Sequence, residues 1–389
     1  MARLRDVVAV LDELYPPGTA ADWDAVGPVV GDPDAPVGRV LLAVDPVAAV
    51  VDEAIDWGAD LLLTHHPLYL RGTSTVYAGT AKGLVVHRLV AAGCGLVVAH
   101  TNADVAADGV AQALADVLGL VDAVPLRPEG GPGVDKLTVY VPVADADRLV
   151  DALAAAGAGT VGAYDRCAYW TDGTGTFRPG AAAHPAIGAV GRVEEVPERR
   201  VEMVLPRQRR AAVVRALLAA HPYEEPAFDL VETAPRPGSA GTGRVGELAE
   251  PTTLAQFAAC VAAVLPRTPA GLRVAGEPSR SVRRVAVCGG AGDAYLADAV
   301  RAGADAYVTA DLRHHPVSEH LESGGPALLD PGHWASEWPW LPRVGAALTA
   351  ALGTVETRVS TIVTDPWTLH LSAPTRTGPT AGPTRGSTR

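Results

Sequence analysis

Leu61-Leu62-Leu63-Thr64-His65-His66-Pro67 decides how this chain reads. An apolar run of strand length ends in two adjacent histidines, and a proline follows them. On an extended chain neighbouring side chains point to opposite sides. Two imidazoles can therefore share one centre only where the strand ends and the chain turns. Neutral imidazole is the commonest protein ligand for a transition metal. The same pair in an ordinary surface loop would mean nothing, so the weight falls on what the rest of the chain brings to it.

Outward from that stretch, strands alternate with helices. Leu4, Val7, Val8, Leu11 and Leu14 recur at helical spacing and predict a helix over 3–14. A buried strand over 40–44 runs into Asp45-Pro46, and a helix follows over 46–57. The strand over 60–64 then delivers the histidine pair. A helix (81–92), a strand (95–99) and a helix (107–119) come next. This alternation implies mainly parallel sheet covered on both faces, in which ligands gather at the carboxyl ends of strands. His100-Thr101-Asn102-Ala103-Asp104 occupies another such end. Trp23-Asp24-Ala25-Val26-Gly27 reads as a turn with a packed tryptophan.

The pattern breaks near residue 125, where Pro125, Pro128, Gly130, Gly131, Pro132 and Gly133 make a crossing rich in breakers. Beyond it, strands over 136–141, 162–170, 201–205 and 227–233 and helices over 144–156 and 207–220 follow a β-α-β…β-α-β order. That order suggests a ferredoxin-like α+β unit, with 171–191 as a long loop or hairpin between its halves. A second crossing, 235–243, returns the chain to the alternating pattern: 243–248, a helix over 252–264, and strands over 282–287, 306–309 and 327–329. The expected architecture is a layered α/β body (1–127 and 239–372) interrupted by an insert (128–238), with a disordered Thr/Pro/Gly/Arg tail over 373–389. Cys288-Gly289-Gly290-Ala291-Gly292-Asp293 reads as a glycine turn into a helix. It lacks the third glycine of a dinucleotide site and the Gly-Lys-Ser/Thr of a P-loop.

Composition narrows the function. With 389 residues the chain suits roughly two or three domains. Its net charge of -12 opposes a phosphate backbone, so general nucleic-acid binding is disfavoured. No apolar run is long enough for a membrane span, and the start at Met1 lacks the pattern of a secretory signal. The four cysteines, Cys94, Cys167, Cys260 and Cys288, form no CxxC pair. They fit reduced thiols packed as small apolar residues in a cytoplasmic protein.

Three strand ends thus carry imidazoles or carboxylates: His65/His66, His100/Asp104 and His333/Glu337. If Gly332 turns the chain into a helix, His333 and Glu337 stand at i, i+4 on one face. Asp104 lies where a loop can aim a carboxylate inward. Three nitrogens and two carboxylates (His65, His66, Asp104, His333 and Glu337) exceed the three protein ligands of a mononuclear catalytic zinc. They suit two ions sharing a carboxylate. The donor mix fits zinc, iron, manganese, cobalt or nickel without choosing among them. Two dications with two carboxylates leave a positive site that favours anionic substrates.

These motifs resemble those of the dinuclear-metal-centre hexameric proteins known as GTP cyclohydrolase 1 type 2 homologs. The matching residues are Trp23-Asp24-x-Val26-Gly27, Thr64-His65-His66-Pro67-Leu68, His100-Thr101-Asn102-x-Asp104, Asp311-x-x-x-His315 and Gly332-His333-x-x-Ser336-Glu337. Gly173-x-Gly175-x-Phe177-x-Pro179, Pro185-x-Ile187-Gly188 and His221-Pro222-Tyr223-Glu224-Glu225-Pro226 are similar to the insert of the longer bacterial members, which resembles the PII and CutA folds. The resemblance covers about residues 3–371. It implies the same five metal ligands with Glu337 bridging, a toroidal homo-hexamer, and a metal-dependent hydrolase acting on a nucleotide or other phosphorylated or anionic small molecule, with attack on C8 of a guanine ring as one such reaction. His100 and His315 would then orient ligands or carry protons, with a purely structural hydrogen bond the other reading of each. The other reading is a non-catalytic metal-binding regulatory protein whose insert binds a small effector or partner. Two positions depart from the family pattern: Ala310 replaces the usual glycine before Asp311, and Pro28 an aliphatic residue.

Overall fold

A computed structural model describes residues 1–130, 133–234 and 237–371. The tail expected from 373 onward lies outside the described residues, as do parts of both breaker-rich crossings. The chain divides into two compact units, residues 1–127 with the chain from Ser239 onward, and Pro128–Gly238.

In the first unit a five-stranded sheet forms around Leu61–Thr64. Arg39–Ala43 and Gly95–Val98 flank that strand in parallel, and Glu356–Val359 extends the sheet beyond Arg39–Ala43. Strand Gly27–Val30 closes the other edge antiparallel, and Pro28 sits on that edge, where a missing N–H costs least. The Leu61-Leu62-Leu63 run is apolar throughout because both faces are covered. Leu61 and Leu63 pack towards helices Leu4–Leu14 and Trp340–Leu352; Leu62 packs towards Ala48–Trp57 and Ala81–Ala92. All three are fully buried.

A six-stranded sheet follows the same logic. Ser281–Ala291, Ala306–Ala310 and Ala327–Asp330 are parallel, with Pro237–Thr253 and Arg273–Ala275 antiparallel outside them and Leu120–Gly130 at the edge beyond Pro237–Thr253. Val285, Val287, Val308 and Leu329 face helix Leu254–Val264, while Ala286, Tyr307 and Leu328 face the other way. The glycine stretch 289–292 does not open a helix directly. The strand runs on to Ala291, and the helix proper begins at Leu296. Tyr307, Thr309 and Ser336 hold this extension by hydrogen bonds to Gly292 O, Gly290 O and Gly290 N.

The second unit is a four-stranded antiparallel sheet with helices Ala146–Ala155 and Arg210–Ala220 on one face. The strand order is Phe228–Glu232, Val134–Pro142, Glu194–Pro206, Tyr169–Phe177. For β-α-β-β-α-β connectivity this is the ferredoxin-like arrangement. One expectation fails here. The second strand is Tyr169–Phe177, not 162–170, and it takes up residues read as loop. Thr171–Phe177 is rich in glycine, yet an edge strand needs only its backbone to pair, and Trp170 to Phe177 align with Val201 to Glu194.

Among the described residues no helix is long and apolar enough to cross a membrane. The four cysteines are free, with Cys94 and Cys288 buried, Cys167 partly buried and Cys260 exposed.

Candidate metal centre

Strand ends of both sheets meet at one place within the first unit. From the first sheet come Asp45, His65, His66 and His100. From the second, Ala306–Ala310 leads to Asp311, and Ala327–Asp330 leads through Gly332 to the short helix His333–Glu337. Gly332 has φ +90°, a conformation that glycine adopts without strain, and its N–H donates to Asp330 Oδ1 at 3.0 Å. That turn puts His333 and Glu337 on one helical face, Nε2 3.0 Å from Oε1.

Glu337 is the hub. Its Oε1 lies 3.4 Å from His65 Nε2 and its Oε2 lies 3.1 Å from His66 Nε2. Asp104 Oδ1 stands 3.6 Å from His65 Nε2. Asp104 sits on a short helix, Thr101–Val105, rather than in a loop. His65, His66 and His100 can offer ligand atoms within 4.8 Å of one another, and so can His66, His333 and Glu337.

Each ring is tethered from behind. His65 Nδ1 donates to Ala99 O (2.9 Å), His66 Nδ1 to Asp45 (2.7 Å), His333 Nδ1 to Asp311 (2.8 Å) and His100 Nδ1 to Asp24 (2.8 Å). An acceptor on Nδ1 leaves Nε2 as the lone-pair nitrogen, and this is how metal-binding histidines are oriented. Asp311 reaches His333 from a left-handed backbone, φ 55°, which aspartate tolerates better than most residues. Asp45 also accepts from Thr364, and Asp24 from Thr101. Within this cluster, and among the described residues, His65 Nε2 and Glu337 Oε2 are buried without a hydrogen-bond partner. Lone pairs of nitrogen and carboxylate thus converge with nothing between them. A cation is the chemical species that satisfies such a donor set.

Protons would otherwise take that place. Burial alone would lower the His66 pKa, but Glu337 and Asp45 carry it up to about 11. Against the same penalty, Glu337 and Asp311 carry His333 to about 9. Glu337 is held well below the usual carboxylate range, since His66, His65 and His333 outweigh its burial. His100 is pushed down by burial and by His65. At pH 7 the cluster therefore carries protons on His66 and His333, which a dication binding there would have to displace. Affinity should rise with pH, about tenfold per unit for each proton displaced. Asp104, raised to about 6 by burial and by Glu337, should add a competing proton in acid. Metal content after dialysis between about pH 5 and pH 9 checks this; occupancy flat across that range would contradict it.

His315 stands apart. It is exposed on helix His314–Glu322, and its ring neighbour is His314 at 5.1 Å. Asp311, which starts the same motif, is the residue that reaches His333. Trp23 is also not packed as expected: it is 60 % exposed, edge-on to His100 at 6.0 Å. Sequence reading missed Asp24, Asp45 and Asp311 as tethers, although each borders a strand end or a quoted motif. It also missed Gly290. A Cβ there would fall 2.4 Å from Glu337 Oε1 and 3.0 Å from His333 Nε2. A cavity of ≈ 590 Å³ opens onto His66 and His333, walled in part by Arg273, Trp334 and Trp367.

The profile of the Duf34/NIF3 (NGG1p interacting factor 3) family matches residues 2–366. A Mycobacterium leprae protein named GTP cyclohydrolase 1 type 2 homolog is 50 % identical over 370 residues, covering 95 % of this chain and 96 % of the relative. Among solved structures, a Bacillus cereus protein related to NIF3 is similar at TM-score 0.76 and 34 % identity. Staphylococcus aureus protein SA1388 is similar at TM-score 0.82 and 29 % identity. Both alignments cover 95 % of this chain and 99 % of the other.

Proposed function

The chain belongs to the Duf34/NIF3 family, and on that premise we propose that it holds two divalent metal ions. His65, His66, Asp104 and His333 would hold them, with the Glu337 carboxylate shared between the two. The supporting observation is the set of rings tethered at Nδ1 around a buried carboxylate, with His65 Nε2 and Glu337 Oε2 unpartnered. Zinc, iron, manganese, cobalt and nickel all suit these donors. When bound, such ions supply Lewis-acid polarisation and water activated at neutral pH.

The chain's own residues do the rest. Ala99, Asp45 and Asp311 fix the ligand rings. His100, held by Asp24 and kept neutral by burial, offers Nε2 beside His65 and His66 to take or give a proton. In the adjoining cavity the exposed Trp367 indole suits a flat ring, while Arg273, exposed but ion-paired with Asp330, has further N–H groups to offer a polar substituent. The reading is a cytoplasmic homo-hexameric hydrolase of a nucleotide or other phosphorylated small molecule. Metal-loaded protein should turn over GTP or a simple phosphoester, and His66→Ala should abolish turnover while the circular dichroism spectrum is kept. A fully metallated protein inert towards both would overturn the hydrolase and leave a metal-binding regulatory protein.

The same proposal treats residues 128–238 as a separable insert. Deleting them and joining the ends should leave a soluble body that binds metal; an insoluble body beside soluble full-length protein would count against it.

A further inference from the structure

We propose that the inserted unit carries its own binding site for a small organic cation with a flat apolar body, seated on Glu198. Side chains alternate along strand Glu194–Pro206. Val201, Met203 and Leu205 go to the helices. Val196, Glu198 and Arg200 go to the opposite face, which carries no helix. A one-sided sheet leaves such a face in water, yet Val196 is 7 % and Glu198 9 % exposed. The segments 178–187 and 223–227 fold over them and enclose a cavity of ≈ 670 Å³, within the range of small-molecule sites. All its lining residues lie inside Pro128–Gly238.

The floor is built to leave room. Gly173 and Gly175 stand opposite Glu198 and Val196 on the edge strand. A Cβ at Gly175 would fall 2.0 Å from Glu198 Oε2, and one at Gly173 would enter open space. Glycine weakens a strand, so its use here marks a close approach. Phe177 and Tyr223 form an aromatic wall, edge to face at 5.5 Å, with Pro179 and Ile187 beside them.

Glu198 is placed and left wanting. Its Oε1 accepts from the Tyr223 hydroxyl at 2.8 Å. Tyr223 is held in turn by His221, whose Nδ1 accepts from Tyr223 N and whose Nε2 donates to Tyr140 O. Among the described residues Glu198 has no ion pair, because Arg199 is taken by Asp172 and Arg200 by Glu202. A buried carboxylate without a cation is costly. A ligand presenting two N–H groups and a positive charge satisfies it, and the aromatic wall favours the same charge. Among the charged groups lining the cavity, Asp172, Glu198, Glu224 and Glu225 outnumber Arg178 and Arg200, which favours a cation over an anion.

Benzamidine and benzoate share a ring and differ in charge, so they test the site on full-length protein by calorimetry and ligand-observed NMR. Benzamidine should bind saturably, and benzoate at least about tenfold more weakly. Glu198→Gln should weaken benzamidine about tenfold or more. Gly173→Leu, which fills the cavity from an exposed strand position, should abolish binding and decides the matter should Glu198→Gln not fold. His66→Ala should leave benzamidine binding unchanged, so this result stands apart from the metal reading. Absence of benzamidine binding, equal binding of benzoate, or full binding in either insert variant would overturn the proposal.

Discussion

Glu337→Ala is expected to take the protein from about two metal ions per chain to one or none. The side chain is 3 % exposed and lies within 3.4 Å of the Nε2 atoms of His65, His66 and His333. If Glu337 bridges two ions as proposed, its loss would remove an oxygen from each and the negative charge between them. Glu337→Gln keeps the shape and drops the charge, so repulsion between the ions goes uncompensated and occupancy should fall nearly as far. His66→Ala removes a ligand from one half only and should leave the other partly filled. His315→Ala, on an exposed residue away from the cluster, should keep the full complement. Elemental analysis of the four variants beside the wild type separates these outcomes. Two equivalents retained in Glu337→Ala would rule out a bridge.

A comparable loss is expected from a residue that carries no ligand atom. Gly290 has φ +64°, and a methyl group there meets the Glu337 carboxylate at 2.4 Å and the His333 ring at 3.0 Å. Alanine pays about 1–2 kcal/mol for that backbone conformation. It must also displace Glu337 or withdraw Gly290 N from Ser336 Oγ, a 2.8 Å bond that ties the strand extension to the ligand helix. Gly290→Ala should weaken metal binding about 10–100-fold, the scale seen when groups that orient ligands are disturbed, while the secondary structure persists. Competition with a chromophoric chelator measures it, and unchanged affinity would mean that Glu337 can shift without consequence.

These two residues show what the sequence could and could not disclose. Glu337 was legible because Gly332 breaks the strand and an i, i+4 pair must share a face of the helix that follows. His65 and His66 were legible because a strand buried on both faces has nowhere for two imidazoles except its end. Gly290 was not, because a glycine after a strand looks alike whether it makes a turn or makes room. The tethers are tertiary facts as well. Asp24 reaches His100 across 76 residues, and Asp311 reaches His333 across 22. The motif Asp311-x-x-x-His315 did not say which of its two residues faces His333, and the fold brings Asp311 there. In the insert, Gly173 and Gly175 misled for the converse reason. Their strand is held by backbone pairing at a sheet edge, which side-chain pattern does not report.

The central claim is a two-ion centre around Glu337, and it is tested most directly by anomalous diffraction from crystals of the metal-loaded wild type. The account predicts two peaks about 3.5–4 Å apart beside the Glu337 carboxylate, with His65, His66, Asp104 and His333 shared out between them. A single peak, or peaks that leave Glu337 or the histidines uncoordinated, would contradict it.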